Sequence, residues 1–312
     1  VKVFVTGATG FIGSTLLPQL VARGHEVTAL VHRRAAAPAG VRVVSGDVTD
    51  PRALALAGHD AAIHLAAIYK IGHVDRRAMY AVNVTGTRNL LDAASAAGVA
   101  RIVHVSSTAA LGDTGGRDAG EDHRHDGTFR SYYEETKHIA HGIAQARLAR
   151  GAPVMIASPG GVFGAGDPSV LATTLRDLRA GKLPIQIATT SRFQLCHVAR
   201  VCEGLVAILE RGTLGAHYVL AGASVSMPEL IARAAALSNR RPPRAVAPRR
   251  LRPLACVCDR LGALGIALPL SGEALRVMDG STYVYRSDRA RRELGWDPGD
   301  VAADVARYLA QL

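Results

Sequence analysis

Val1-Lys2-Val3-Phe4-Val5-Thr6-Gly7-Ala8-Thr9-Gly10-Phe11-Ile12-Gly13 is the stretch on which the fold turns. Val1–Thr6 is a strand by composition, and Ile12–Arg23 puts Leu16, Leu17, Leu20 and Val21 on one helical side before Gly24 closes it. Between them the glycines are spaced G-x-x-G-x-x-G. Glycines at such a turn let the backbone reverse sharply and approach a pyrophosphate, which then rests on the free N–H groups of the helix N-terminus. Strand, glycine turn and helix in that order are the context a dinucleotide site needs. A tight turn with packing glycines is the alternative.

Outward from this point the strand–helix rhythm repeats. Glu26–Val31, Val41–Ser45, Ala61–Ala66, Ile102–Val105 and Val154–Ala157 are expected strands, with helices at Thr85–Ala97 and Tyr132–Arg150. Such alternation predicts a doubly wound parallel sheet covered on both faces. After Pro159 the pattern changes. Pro168–Ala180 and Val198–Glu210 read as helices and Tyr218–Leu220 as a strand; Ser226 with Pro228, and Ser287 with Arg289–Leu294 and Gly295, frame two more helices. The expected division is a nucleotide domain over 1–164, with 192–221 returning to it, and a smaller, mostly helical substrate region over 165–191 and 222–312.

The 312 residues are 48% apolar, the composition of a globular chain. The formal charge of +11 is almost entirely arginine, since only Lys2, Lys70, Lys137 and Lys182 are lysines. Its densest run, Arg240 to Arg252, is threaded with prolines and reads as a surface loop. Without aromatic residues interleaved for stacking on bases it gives no reason to expect nucleic acid, and an acidic cofactor accounts for part of the charge. The apolar stretch Leu251–Leu270 is broken by Arg252, Asp259 and Arg260, so no membrane span is expected. Whether it is a lid, a dimer contact or core stays open. With no leader-like N-terminus, a cytoplasmic protein is the expectation. Cys196, Cys202, Cys256 and Cys258 lack zinc-knuckle spacing and read as reduced thiols. His123 and His125 sit in the glycine-rich segment Asp113 to Asp126, read as solvated, with no metal site.

Three further features carry chemistry. At the end of the second strand, where an NAD-selective site places a carboxylate for the ribose hydroxyls, the chain reads Leu30-Val31-His32-Arg33-Arg34. His32 and Arg33 would instead receive a 2′-phosphate, which favours NADP(H) over NAD(H). Tyr133 and Lys137 are four residues apart on one helix, so they share a face. A cation beside a phenol stabilises phenolate and makes the tyrosine a usable acid and base. Ser107 follows the strand Ile102–Val105, at the strand end that borders the ligand crevice in a parallel sheet; a polar strand-end cap is the alternative.

Taken together, these residues resemble the extended short-chain dehydrogenase/reductase family, also described as the NAD-dependent epimerase/dehydratase superfamily. The resemblance runs from end to end, through Thr6–Gly13, Asp47-Val48, His64-Leu65-Ala66-Ala67, Asn83-Val84-Thr85-Gly86-Thr87, Ser106-Ser107, Tyr133/Lys137, Pro159 to Asp167, His197-Val198 and the tail Ser287 to Trp296. Within the family it is similar to the branch of dihydroflavonol reductases, 3β-hydroxysteroid dehydrogenases and hopanoid-associated epimerase-like proteins. The resemblance implies a Rossmann-like α/β fold. It implies that Ser107 polarises a carbonyl, Tyr133 donates the proton, and Lys137 binds the nicotinamide ribose. It implies cofactor contacts from Gly7, Thr9, Gly10, Phe11 and Ile12, from Asp47 and Val48 at the adenine, from Leu65, Ala66, Ala67 and Asn83, and from Pro159 and Val162 at the nicotinamide. A homodimer through Thr85–Ala97 and Tyr132–Arg150 is expected on the same ground.

The departures discriminate among substrates. Gly161 stands where sugar-nucleotide epimerases carry asparagine, Phe193 where they carry arginine, and Ala199-Arg200 where an acidic pair is usual. In the family the groups lost at Gly161 and Phe193 hold a sugar nucleotide's diphosphate, so the resemblance does not imply a UDP- or TDP-sugar substrate. The expected function is NADPH-dependent reduction of a ketone or aldehyde, with a small-molecule carbonyl or alcohol as the partner. The alternative is a sugar or sugar-nucleotide epimerase or dehydratase on a retained cofactor. A non-catalytic NADP sensor is the third class, opposed by the intact Ser107, Tyr133 and Lys137.

Overall fold

Val3, Phe4 and Val5 are all fully buried, so the strand that carries them must be covered on both faces. A computed structural model, which describes residues 1–32, 38–266 and 270–312, places β1 (Lys2–Thr6) in the interior of a seven-stranded parallel sheet. The next strands are β2 (Glu26–Val31), β3 (Val41–Ser45), β4 (Ala61–His64), β5 (Arg101–Val105) and β6 (Val154–Pro159). Short strands β7 (Gly161–Phe163), β8 (Ile185–Ile187) and β9 (Arg192–His197) intervene before β10 (His217–Leu220) completes the sheet. The order is β10-β6-β5-β4-β1-β2-β3, which reverses direction between β1 and β4. A crevice opens at the C-terminal strand ends at such a switch, and ligands of open α/β sheets bind there.

Side chains alternate along β1. Val3 and Val5 face a core shared with α1 (Phe11–Ala22), while Phe4 faces the opposite core. Helix α2 (Arg76–Tyr80), capped by Asp75, runs through a single π turn, Ala81–Thr85, into α3 (Gly86–Ala96). The continuous helix thus starts before the expected Thr85. Helices α3 and α4 (Tyr132–Leu148) cover the Phe4 face. After α5 (Val170–Arg179), helix α6 (Val198–Arg211) joins α1 on the Val3 face.

A second sheet joins β7, β9, β11 (Ala223–Ser226) and β13 (Thr282–Tyr283), and β12 (Arg244–Val246) pairs with β8. Helix α7 (Met227–Leu237) begins with a capping box between Ser226 and Glu229, and α8 (Pro248–Ala263) and α9 (Gly272–Val277) follow. Beyond them lie α10 (Asp288–Leu294) and α11 (Val301–Gln311). Strand β9, placed in the nucleotide unit by the expected division, pairs outside the main sheet. Helix α10 and Trp296, placed outside that unit, pack into its core, with the indole N–H donating to the Arg200 carbonyl at 2.8 Å.

The proline-threaded run from Arg240 to Arg252 is not a loop throughout. It contains β12 and the start of α8, because Pro248 occupies a first-turn position where its missing N–H costs nothing. Within the segment Asp113 to Asp126, which is largely exposed, the His125 side chain is not solvated. The His125 side chain is 1% exposed, sits against Phe129 and His138, and faces Glu134 at 3.2 Å. Among the described residues no helix is long and apolar enough to cross a membrane.

Candidate active site

Gly7 has φ +69°, and a Cβ there would lie 2.6 Å from the Ala66 nitrogen and the Leu65 carbonyl carbon. Only glycine fits, because the turn after β1 is pressed against the chain leaving β4; that contact also ends β4 at His64. A Cβ on Gly13 would lie 2.2 Å from the Gly7 oxygen, so α1 is pressed against the same turn. Gly10 stands at the N-cap of α1 and supplies no side-chain cap. The first N–H groups of α1 therefore point, uncapped, at a cradle that any larger residue would fill. This is the geometry and polarity a pyrophosphate requires, and a dinucleotide fits it. Thr9 and Gly10 are exposed on its rim, whereas Phe11 and Ile12 pack partly against the core.

At the far end of the crevice, His32 after β2 meets Asp47 after β3, with Nε2 and Oδ2 3.1 Å apart. Asp47 also accepts from the Thr49 N–H at 2.8 Å. A carboxylate thus reaches this corner from β3, although the end of β2 has none. Val48 is buried, and Asn89 donates to its carbonyl at 3.0 Å. Arg33 lies outside the described residues.

The N-terminus of α4 is capped by the Ser131 hydroxyl, which accepts from the Glu134 N–H at 3.1 Å. The helix aims Lys137 at the end of β5, where its ammonium donates to the Val105 carbonyl at 2.9 Å. Burial lowers the lysine to a pKa of about 8. Burial pushes the Tyr133 phenol well above its ordinary value, Tyr69 adds to the shift, and the nearby Ser107 hydroxyl opposes it. The Tyr133 ring stands edge-on to Tyr69, 4.9 Å between centroids. Strand alternation separates the two serines. Ser106 Oγ meets His141 Nδ1 at 2.9 Å, while Ser107 Oγ lies on the Tyr133 side and also accepts from the Ala109 N–H at 3.2 Å. Ser107 is thus a strand-end cap as well as a partner of the phenol.

Asn83, inside the π turn, is buried and fully engaged. Its Oδ1 accepts from the Ile68 N–H at 2.7 Å, and its Nδ2 donates to the Ile68 carbonyl and to Thr136 Oγ1 at 3.1 and 3.0 Å. It ties the chain after β4 to α4, one turn from Tyr133. Leu65 and Ala66 donate to the Thr6 carbonyl and hydroxyl at 3.2 and 3.4 Å, and Ala67 is exposed. The Thr6 hydroxyl continues to His64 Nδ1 at 2.7 Å, and His64 Nε2 to Thr87 at 3.0 Å. Pro159 ends β6 beside β10, and Val162 lies on β7. A Cβ on neighbouring Gly161 would stand 3.0 Å from the Gln194 oxygen and 3.1 Å from Leu195 Cδ2, so a larger residue is crowded there.

Two carboxylates had no signal in the sequence. Glu273 on α9 accepts from the Gly72 and Tyr132 N–H groups. Glu134 accepts from the Arg130 N–H at 2.8 Å and from the Tyr283 hydroxyl at 3.1 Å. Both anchor the C-terminal region to the start of α4.

The family model of the NAD dependent epimerase/dehydratase family matches residues 3–221. The chain is similar to sterol demethylase protein B of Methylococcus capsulatus, 30% identical with 98% of this chain and 96% of that protein covered. It is also similar to a 4-hydroxy-2-methyl-3-oxo-4-farnesyl-3,4-dihydroquinoline-1-oxide ketoreductase of Stigmatella aurantiaca, 31% identical over 95% of this chain and 91% of that one. A dTDP-glucose 4,6-dehydratase from Streptomyces venezuelae, solved with NAD bound, shares the fold at 24% identity and a TM-score of 0.81, covering 99% of this chain and 96% of that one. With its glycine turn at the switch point and its parallel sheet of seven strands, this chain belongs to the NAD-dependent epimerase/dehydratase family, the extended short-chain dehydrogenase/reductases, and is an NAD(P)-dependent enzyme.

Proposed function

We propose that the enzyme reduces a ketone or aldehyde on a largely apolar molecule, with NADPH as the reductant. The observation that carries the reading is the placement of the Tyr133 phenol on the Ser107 side of the β5 end, on the helix that also carries Lys137. A phenol held protonated near neutral pH is a donor, and a donor is what carbonyl reduction needs. The bound nicotinamide would supply hydride to the carbonyl carbon. Ser107 and Tyr133 would hold the oxygen, Tyr133 would transfer its proton to it, and Lys137 would stabilise the phenolate left behind. Gly161, where a larger polar residue would be crowded by Gln194 and Leu195, and Phe193 offer no side chain to hold a sugar-nucleotide diphosphate, and the relatives named for a sterol and for a farnesylated quinoline point to apolar substrates.

The preference for NADPH rests on His32 and Arg33 and on the lack of a carboxylate at the end of β2 itself. A homodimer through α3 and α4 is part of the proposal, and sedimentation velocity tests it. For the activity, NADPH absorbance is followed with steroidal, flavonoid and aliphatic ketones and aldehydes. Consumption is expected, and Tyr133→Phe should lower it by about 10²–10⁴ while NADPH still binds. Unchanged turnover in that variant would sink the proposal. Cofactor retained through purification, with no net consumption of NADPH, would favour the epimerase or dehydratase reading instead.

A further inference from the structure

Helix α8 packs with only one side. Leu251 and Ala255 are buried with Leu275 of α9, and Cys258 lies beneath. Alongside them, Leu254, Val257, the part-buried Leu261 and Leu264 recur at spacings of three and four residues, which makes one stripe next to the buried side, along the helix and its C-terminal end. Leu254 is 53%, Val257 50% and Leu264 77% exposed, and Ile266 beyond them is 51% exposed. The charge around the stripe has one sign. Between Arg240 and Arg260 the chain carries seven arginines, all exposed, against one acid, Asp259. Among the described residues only Arg252 of the seven pairs with a carboxylate, that of Asp279 at 3.2 Å. Arg249, Arg250 and Arg260 flank the stripe on the helix itself.

The occupant of this face has to be apolar and anionic together. A second copy brought up against the same face would set arginine against arginine. A nucleic acid would satisfy the charge and leave the leucines in water. An anionic bilayer meets both demands: an amphipathic helix lies in the interface with its apolar stripe among acyl chains, and flanking arginines extend to the headgroups. The placement in the fold is suited to that. Beneath the stripe, Gly262 of α8 packs on His73, and Glu273 of α9 holds the Gly72 and Tyr132 N–H groups beside Tyr133. Helices α8 and α9 thus pack against the chain segments that hold the start of α4, the helix that carries Tyr133.

We propose that the Leu254–Leu264 face of α8, with its arginines, docks the enzyme on anionic membrane surfaces, so that an apolar substrate can pass between bilayer and site. Docking itself does not rest on the reductase reading, since it is measured without turnover. The purified full chain is sedimented with sucrose-loaded vesicles of phosphatidylcholine alone or of phosphatidylcholine with phosphatidylglycerol. It should partition onto the anionic vesicles only, and high salt should weaken the binding. The L254E/V257E variant should bind at least about tenfold less, with an unchanged far-UV spectrum. Should that variant fail to fold, R249E/R250E tests the charge half of the face, with the same loss expected. Three outcomes would overturn the proposal: no binding to anionic vesicles at low salt, equal binding by wild type and a folded variant, or a fall in oligomeric state caused by L254E/V257E without any lipid binding by wild type.

Discussion

Lys137 and Tyr133 are displaced from their ordinary pKa values in opposite directions by the same cause. Burial disfavours the charged form of each, so it lowers the ammonium to about 8 and raises the phenol. In the free enzyme near neutral pH, both residues therefore hold their protons. If Lys137 must be cationic to stabilise phenolate, reductive kcat/KM should fall as pH rises through about 8, because that ratio reports groups of the free enzyme. Tyr133 titrates too high to produce this limb. The discriminating variant is Lys137→Arg, whose charge does not titrate. Its pH–rate profile should be slower but flat through that region, and persistence of the limb would assign it to another group.

Helix α4 is held at its start by Glu273, which offers one carboxylate to two backbone N–H groups, those of Gly72 and Tyr132. Replacing Glu273 by alanine leaves both donors without their charged acceptor, a loss of about 1–3 kcal/mol. The expected consequences are faster hydrogen exchange at the Gly72 and Tyr132 amides and a lower melting temperature, with kcat reduced as Tyr133 loses its fixed position. Unchanged exchange at those two amides would show that the anchor is not needed. This contact also marks where the sequence stopped being legible. The turn Gly7–Gly13 and the pair Tyr133/Lys137 could be read because their chemistry lies within one turn or one helical repeat. Glu273 and Tyr132 are 141 residues apart, and no periodicity connects them. The π turn that lets Asn83 reach both Ile68 and Thr136 is equally silent, since its side chains look like an ordinary approach to α3. His125 looked solvated for the same reason: its cover comes from Phe129 and His138, and only the folded chain puts Glu134 within reach of it.

Across the whole molecule, one face of the sheet carries a run of buried histidines. His64 on β4 stands in register with His104 on β5, His104 with Ile156 on β6, and Ile156 with His217 on β10, while His141 reaches in from α4. Desolvation lowers all four from 6.5, to about 3 for His64 and His141, to about 4 for His217, and well below the ordinary value for His104. A histidine with a depressed native pKa takes up its proton in the unfolded chain first. Between about pH 6.5 and 4 the unfolded state therefore binds more protons, and stability falls as pH falls, by up to about 1.4 kcal/mol per pH unit for each histidine. Urea unfolding between pH 7 and 5 should show this as a steep drop. His104 singles itself out within the run, because neither of its ring nitrogens has a partner among the described residues. A buried ring with no hydrogen bonds contributes desolvation cost and nothing in return, so His104→Leu should leave stability at pH 7 unchanged or higher. It should also remove about one proton from the acid slope. A large loss at pH 7 would mean that His104 is bonded in solution, through water or to Lys137, and that the histidine run is part of the site's proton circuit and not only its floor.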